Sequence, residues 1–294
     1  MAMLTETARA KVNLTLRVLG RRPDGYHDIE SVVVFADCAD TLTLTPGPEL
    51  GLATGGPGAQ DCGEMSDNLV IRAARLLAER IPGLTLGQFT LDKHLPVAAG
   101  IGGGSADAAA ALRLLARANE IAIDDPRIVD VARETGADIP VCLASRACTM
   151  TGVGDNLSML DVPPMPCVMV NPRVGVATKD VFAALGLGKG EFLAGAGDVM
   201  LSPGWPKDGA SFDAWIEAIG FGINDLEKPA LKVESIIGDV LSALRGTDGA
   251  QLARMSGSGA TCFAIFETIG DAGQAAKAIS QVHPGWWVHA GVLS

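Results

Sequence analysis

The 294 residues carry 34 acids against 23 bases, a formal charge of −11; a surface this acidic repels phosphate backbones, so no nucleic-acid partner is expected. With 48% hydrophobic and 19% charged residues there is ample material for a core, which excludes disorder as the overall state. At about 100 to 200 residues per domain two domains are expected, and no apolar run approaches the roughly 18 residues of a membrane span.

The N-terminus, MAMLTETARAKVNL, lacks the uninterrupted apolar stretch of a signal peptide, so a cytoplasmic protein is expected. Val12, Leu14, Leu16 and Val18 alternate with Asn13, Thr15 and Arg17, the period of a half-buried strand. Arg21-Arg-Pro-Asp-Gly25 carries a turn signal. Ser31–Ala36 reads as a short strand, with Thr41–Thr45 as its hairpin partner across a turn at Cys38–Asp40. Residues 46–66 hold six glycines, at 47, 51, 55, 56, 58 and 63, and read as a loop or weak edge strand. Ser66 or Asp67 is placed to cap a helix whose face is Leu69, Ala73, Leu76 and Leu77, ending near Arg80. Phe89–Leu91 reads as a strand running into Lys93.

A helix is expected over 126–135 and a strand over Val141–Met150. Pro163, Pro164 and Pro166 mark a candidate domain boundary. Beyond it come a strand at Val168–Asn171, a helix at Thr178–Leu185, a Gly-rich stretch over 186–223 with no clear pattern, helices opening near Asn224 and covering Val240–Leu244, a strand at Cys262–Phe266, a helix near 272–281 and a strand near 286–292. Trp286 and Trp287 read as packing residues. The six cysteines show no CxxC spacing and histidine is scarce, so they read as small buried hydrophobes and a zinc site is not expected.

The most unusual stretch is Pro96-Val-Ala-Ala-Gly-Ile-Gly-Gly-Gly-Ser-Ala-Asp107, which runs straight into a helical Ala/Leu run. Consecutive glycines let backbone approach a ligand with no Cβ in the way, and the helix that follows presents its unpaired N–H groups and positive dipole end. Phosphate is the natural guest, and the Ser105 hydroxyl suits a phosphate oxygen or a Mg²⁺ ion. The common phosphate and nucleophile motifs do not fit. No Lys follows as in a P-loop, Ser105 and Asp107 stand where a dinucleotide fingerprint needs Gly, and neither Ser105 nor Ser258 has the flanking glycines of a nucleophile elbow.

This loop resembles the nucleotide-binding motif of the GHMP kinases. Two further blocks, Ala10-Lys11-Val-Asn13-Leu14 and Met255-Ser-Gly-Ser-Gly-Ala-Thr261, fall where that family has its first and third motifs. The resemblance implies an α+β, two-domain GHMP kinase fold: a ribosomal protein S5 domain 2-like N-terminal domain binding ATP (residues 1–160) and a ferredoxin-like C-terminal domain on the substrate side (161–294), with the acceptor in the cleft between them. It implies ATP held by Pro96, Val97, Ala98, Ala99, Gly100, Ile101, Gly102, Gly103, Gly104, Ser105 and Ala106. Asn68 matches a position near the adenine, with a helix cap as the equal alternative. Mg²⁺ is implied, its protein ligands unassigned. Lys11 and Asp138 match the pair flanking the acceptor hydroxyl, with Asp138 as base and Lys11 as its electrostatic partner; a carboxylate beside an ammonium stays ionised at neutral pH.

Arg22-Pro-Asp-Gly-Tyr26-His27, Asp67-Asn68-Leu69, Gly136-Ala-Asp138-Ile-Pro140, Gly152-Val-Gly154 and Asn224-Asp-Leu-Glu227 resemble one branch of the family, whose acceptor is a cytidine diphosphate-linked methylerythritol of isoprenoid synthesis. That resemblance implies Tyr26 and Phe182 on either face of the cytosine, His27 at its edge, Asn13 at the erythritol and Thr178 near the cytidine. Residues 186–221 do not follow the pattern. The third motif would support the phosphate loop, and no phospho-enzyme is expected. A monomer or homodimer is expected. The alternatives are a kinase of the same family for another small alcohol, such as homoserine or mevalonate, and a non-catalytic nucleotide-binding protein.

Overall fold

The computed structural model describes residues 2–193 and 204–294. The chain forms two compact units, each built from discontinuous segments.

The first unit comprises Met1–Lys11, Cys38–Val97 and Gly102–Ser145. It contains the start of β1 (Leu4–Arg21) and the end of β2 (His27–Gly47). The end of β2 pairs antiparallel with β4 (Leu86–Asp92), from Thr41 opposite Asp92 to Gly47 opposite Leu86. On the far side of β4, β3 (Gly51–Gly55) runs parallel to it. Among the described residues the unit also holds four α-helices: α1 (Leu69–Arg80), α2 (Gly103–Ala118), α3 (Pro126–Thr135) and α4 (Ile139–Ala144). The Ala-rich α2 is buried along most of its length, from Ala106 to Leu112 and again over Leu114–Ala116, and packs against α1 and α4. Small side chains let a helix be enclosed on several sides at close range.

The second unit comprises Val12–Asp37, Ala98–Ile101 and Arg146–Ser294. Here β2 pairs with β5 (Cys148–Gly152) through Ile29–Val33, and β5 pairs with β6 (Asn156–Met159). A four-stranded antiparallel sheet follows from β7 (Met165–Asn171), β8 (Leu252–Met255), β9 (Cys262–Ile265) and β10 (Trp287–Leu293). Its order is β10-β7-β9-β8, fourth-first-third-second in chain order, with helices after the first and third strands. That is the ferredoxin-like split βαβ arrangement. One face of the sheet (Val168, Val170, Cys262, Ala264) packs against Ile237, Val240, Leu241 and Leu244 of α8 (Ile236–Arg245) and Ala272, Ala275 and Ile279 of α9 (Ile269–Val282). Among the described residues the remaining helices of this unit are α5 (Thr178–Leu185), α6 (Phe212–Gly220) and α7 (Glu227–Val233).

Three local expectations are corrected. The hairpin at Cys38–Asp40 is instead one continuous strand, β2; Asp40 is fully buried and its carboxylate is engaged by Lys93 and two backbone N–H groups, so it does not turn the chain. Val141–Met150 is not a single strand: Pro140 sits in the first turn of α4, where its missing N–H costs nothing, and Ser145 in the left-handed region ends that helix before β5 begins. The cap of α1 is Asn68, whose Oδ1 accepts from Val70 N at 3.0 Å.

The glycine-rich stretch 46–66 does contain an edge strand, β3. In the unpatterned stretch, Ser211 caps α6, and the buried Trp215 of that helix stacks on Trp205 at 6.4 Å; residues 194–203 lie outside those described. Four cysteines are buried, and Cys38 and Cys62 are half-buried. Trp286 packs against the second unit's core. Among the described residues no helix is long and apolar enough to cross a membrane.

Candidate active site

In the first unit, the glycine loop ends in the left-handed Gly102 (φ +63°), which caps α2 by conformation alone, with no side-chain cap. The first helical bond is Ala106 N to Gly102 O, 2.8 Å. The first-turn N–H groups therefore have no capping side chain, as an anion cradle requires. A Cβ at Gly102 would lie 3.3 Å from the Lys11 stem, and one at Gly103 would lie 3.2 Å from Lys93 Nζ. Glycine is needed at 102 both for its φ and for its space.

Lys11 lies against this loop end, and its Nζ is 3.1 Å from Asp138 Oδ2. The ammonium is buried (4% exposed) while the carboxylate is one-third open (35%). Asp138 begins α4 but does not cap it. Arg113 of α2 fixes both neighbours: its guanidinium donates to Thr7 O on β1 at 3.0 Å and to Cys142 O in α4 at 2.9 Å. The Cys142 thiol, close to the pair, is pushed far up, first by burial and then by the Asp138 charge, so it stays protonated and is not a nucleophile.

A second buried cluster supports the loop from below. Lys93 Nζ donates to Asp40 Oδ2 and Asp107 Oδ2, both at 2.6 Å. Asp40 Oδ1 accepts from the backbone of His94 at 2.6 Å and Leu95 at 2.8 Å. The residues entering the loop and the helix leaving it are thus tied through one ammonium. Burial and the Asp40 charge outweigh the pull of Lys93 and lift Asp107 to about 7. Burial lowers Lys93, but the two carboxylates outweigh it and raise the group overall. The sequence reading passed over this triad. Lys93 and Asp107 flank the motif by position, but nothing in their spacing points to Asp40.

In the second unit, the loop residues Ala98–Ile101 meet the third motif. A Cβ at Gly100 would lie 2.5 Å from Ser256 O, and one at Gly257 would lie 2.7 Å from Gly100 O. Ser256 Oγ donates to Gly100 O at 3.1 Å, and Thr261 N to Ala99 O at 3.0 Å. The turn at Ser256–Gly259 therefore backs this part of the loop. It is held in turn by the Asn224-Asp-Leu-Glu227 block: Asn224 Nδ2 donates to Met255 O and Gly257 O, and Glu227 Oε2 accepts from Met255 N. The buried Arg254 donates to the carbonyls of Leu14, Ile219 and Gly222. Neither anchoring role was expected.

The residues expected at the acceptor also fall in this unit. His27 and Phe182 stack on each other, centroids 4.4 Å apart and planes 28° from parallel. His27 Nε2 is buried without a hydrogen-bond partner among the described residues, and burial, then the Arg21 charge, hold the imidazole below its ordinary value. Tyr26 is exposed (62%) at the tip of the turn. Thr178 Oγ1 and Ser258 Oγ are 2.9 Å apart, joining α5 to the third motif. Asn13 is fully buried; its Nδ2 donates to Ser31 Oγ at 2.7 Å, and its backbone N to Ser256 Oγ at 3.1 Å. Asn68 uses its oxygen as the α1 cap. Among the described residues no group of three or more His, Cys, Asp or Glu is arranged to hold a metal ion.

Comparison with known proteins gives a consistent result. Residues 68–146 match the family described as GHMP kinases N terminal domain, and residues 207–285 match GHMP kinases C terminal. A 4-diphosphocytidyl-2-C-methyl-D-erythritol kinase of Rhodopseudomonas palustris (strain BisB5) is 68% identical over 294 residues, all of both chains. A crystal structure of 4-(cytidine 5'-diphospho)-2C-methyl-D-erythritol kinase superposes with a TM-score of 0.75 at 31% identity, covering 99% of each chain. A homoserine kinase structure from Cytophaga hutchinsonii also reaches 0.75, at 18% identity, over 99% of this chain and 95% of its own; that likeness is one of fold.

Proposed function

The chain belongs to the GHMP kinase family, and from that premise we propose that it transfers the γ-phosphoryl group of ATP to the 2-hydroxyl of 4-diphosphocytidyl-2-C-methyl-D-erythritol. That it is a kinase of the two-domain GHMP fold follows from its relatives. The acceptor is our reading, and so are the roles of the residues. The observation that carries the chemistry is the Lys11–Asp138 pair, with the Lys11 stem packed at the exit of the glycine loop.

Phosphoryl transfer is mostly positioning and charge neutralisation. The triphosphate rests on backbone N–H groups of residues 96–106 and the first turn of α2. Mg²⁺, when bound, neutralises phosphate oxygens. The donor set fits a metal carried by the nucleotide with help from the Ser105 hydroxyl better than a cage of protein carboxylates. Asp138 takes the proton of the acceptor hydroxyl, whose oxygen forms the new bond to the γ-phosphorus as ADP leaves. Lys11 holds the Asp138 carboxylate in place and stabilises negative charge as it develops. With Cys142 held protonated, a direct transfer is favoured over a covalent enzyme intermediate. In this assignment the glycine loop serves ATP, and Asn13, Tyr26, His27, Thr178 and Phe182 serve the acceptor.

The acceptor reading draws on the branch-like sequence blocks, on the relatives' names, and on the aromatic pair His27–Phe182, whose buried Nε2 has no partner among the described residues and suits the edge of a base. Incubation with ATP and each of three alcohols tests it. Turnover of the cytidyl substrate, with homoserine and mevalonate left unphosphorylated, is the expected outcome. Phosphorylation of either of those in preference would reject the acceptor assignment.

A further inference from the structure

We infer that Arg21, together with the segment just after α5, braces the base-binding turn, and that Arg21 is a positioning residue for the acceptor's cytosine. This rests on the cytidine reading proposed above.

The observation lies in the part of the chain that departs from the family pattern. Residues 190–193 zip onto the end of β1. Leu193 N donates to Leu19 O at 2.9 Å, Arg21 N to Glu191 O at 2.8 Å, and Gly190 N to Arg21 O at 2.7 Å, with Gly20 bridged antiparallel to Phe192. A Cβ at Gly20 would sit 2.8 Å from Glu191 O, so the close approach relies on glycine. The added strand brings Arg21 to the junction of two segments. Its Nε donates to Gly25 O at 3.3 Å, and its Nη1 to Leu187 O at 3.0 Å.

Each carbonyl matters for what adjoins it. Gly25 immediately precedes Tyr26 and His27. Leu187 follows α5, the helix that carries Phe182. One guanidinium therefore links the turn holding the histidine to the helix holding the phenylalanine, and those two rings are stacked at 4.4 Å. The anchor is firm, because Leu185 and Leu187 pack against the unit's hydrophobic core. The turn has its own internal bonds, Arg22 N to Tyr26 O and Tyr26 N to Asp24 Oδ1, and these fix its shape but not its aim. Arg22 is committed to Asp28. A rigid fork with donors in two directions suits this task, and a lysine in its place supplies a single point donor. The Arg21 charge has a second effect: after burial, it is what lowers the basicity of His27 and so favours the neutral ring that a base edge needs.

Proton NMR of the His27 ring in the full chain, with CDP as the probe, tests this in wild type, Arg21→Met and Arg21→Lys. In the wild type, CDP shifts the His27 signals. In Arg21→Met the upfield shift from the Phe182 stack is lost and CDP binds about tenfold more weakly, as expected when an aromatic platform loses its alignment, while the affinity for ATP is unchanged. Arg21→Lys, which keeps the charge, falls between the two and supplies the same comparison if the methionine variant does not fold. A wild-type His27 that does not respond to CDP contradicts the cytidine reading itself. A wild-type response retained at full strength, and with unchanged CDP affinity, in the variants overturns the brace alone.

Discussion

The glycine-loop region of the first unit and the turn around Tyr26 and His27 in the second are built in opposite ways. The first is backbone and buried charge: left-handed Gly102, a helix with no capping side chain, and two ion-paired clusters in which the lysines are 3–4% exposed. The second is side chain and surface: an exposed Tyr26, a half-buried stack of His27 on Phe182, and a guanidinium bridging two carbonyls. On the proposed reading, the phosphate site is encoded in conformation, which tolerates few replacements, and the site that distinguishes one acceptor from another is encoded in ring faces and edges. The equal TM-scores against a cytidyl-substrate kinase and a homoserine kinase make the same point, since the fold alone does not separate the acceptors.

This contrast is open to attack in order of expected effect. Asp138→Asn should reduce kcat by roughly 10² to 10⁴, the usual worth of a positioned base, with ATP affinity and thermal stability retained. Survival of turnover within a few-fold would remove Asp138 from the role of base. Phe182→Ala should weaken the cytidyl acceptor by about tenfold or more, since base stacking is worth about 1 to 3 kcal/mol; KM for ATP should stay put, and an equal rise in both would show a structural effect instead. Gly100→Ala puts a Cβ 2.5 Å from Ser256 O at φ +75°, and should cost about 2 kcal/mol of stability in a denaturant titration.

The smallest effect is the pH dependence of the buried triad. Asp107 is lifted to about 7 in the folded state, above the roughly 3.9 of an unfolded carboxyl. Its native form therefore holds a proton that the unfolded chain releases. The stability it contributes is complete below about pH 4 and is lost as pH rises through 7. Thermal melts between pH 5 and 8 should show that decline in the wild type and a flatter profile in Asp107→Asn, whose amide can accept from Lys93 and donate to Asp40. Parallel profiles in the two proteins would refute the assignment of the decline to Asp107.

Much of this was legible in the sequence for identifiable reasons. The 96–107 loop announced itself because glycine runs at a helix start have few other uses. Helices 126–135 and 178–185 fall within the bounds expected of them. The strand near residue 12 forms, but it is not half-buried there: Lys11, Asn13 and Thr15 are buried along with Val12, Leu14 and Leu16. What misled was polarity read as exposure. Asp40 looked like a turn residue because nothing near it in sequence shows that Lys93, 53 positions on, pairs with it. Val141–Met150 looked like one strand because Pro140 fits a helix only in its first turn, and the short helix that Asp138 begins has no signal of its own. Arg21, Arg113 and Arg254 bind backbone carbonyls brought near by folding, and no side-chain spacing records such contacts.

The most direct test of the central claim is a structure of the protein with an ATP analogue and CDP bound. The account predicts the triphosphate on the first turn of α2, its γ-phosphate directed at Lys11 and Asp138, and the cytosine against Phe182 with its edge at His27 Nε2. A γ-phosphate turned away from that pair, or a cytosine bound away from Phe182, would contradict it.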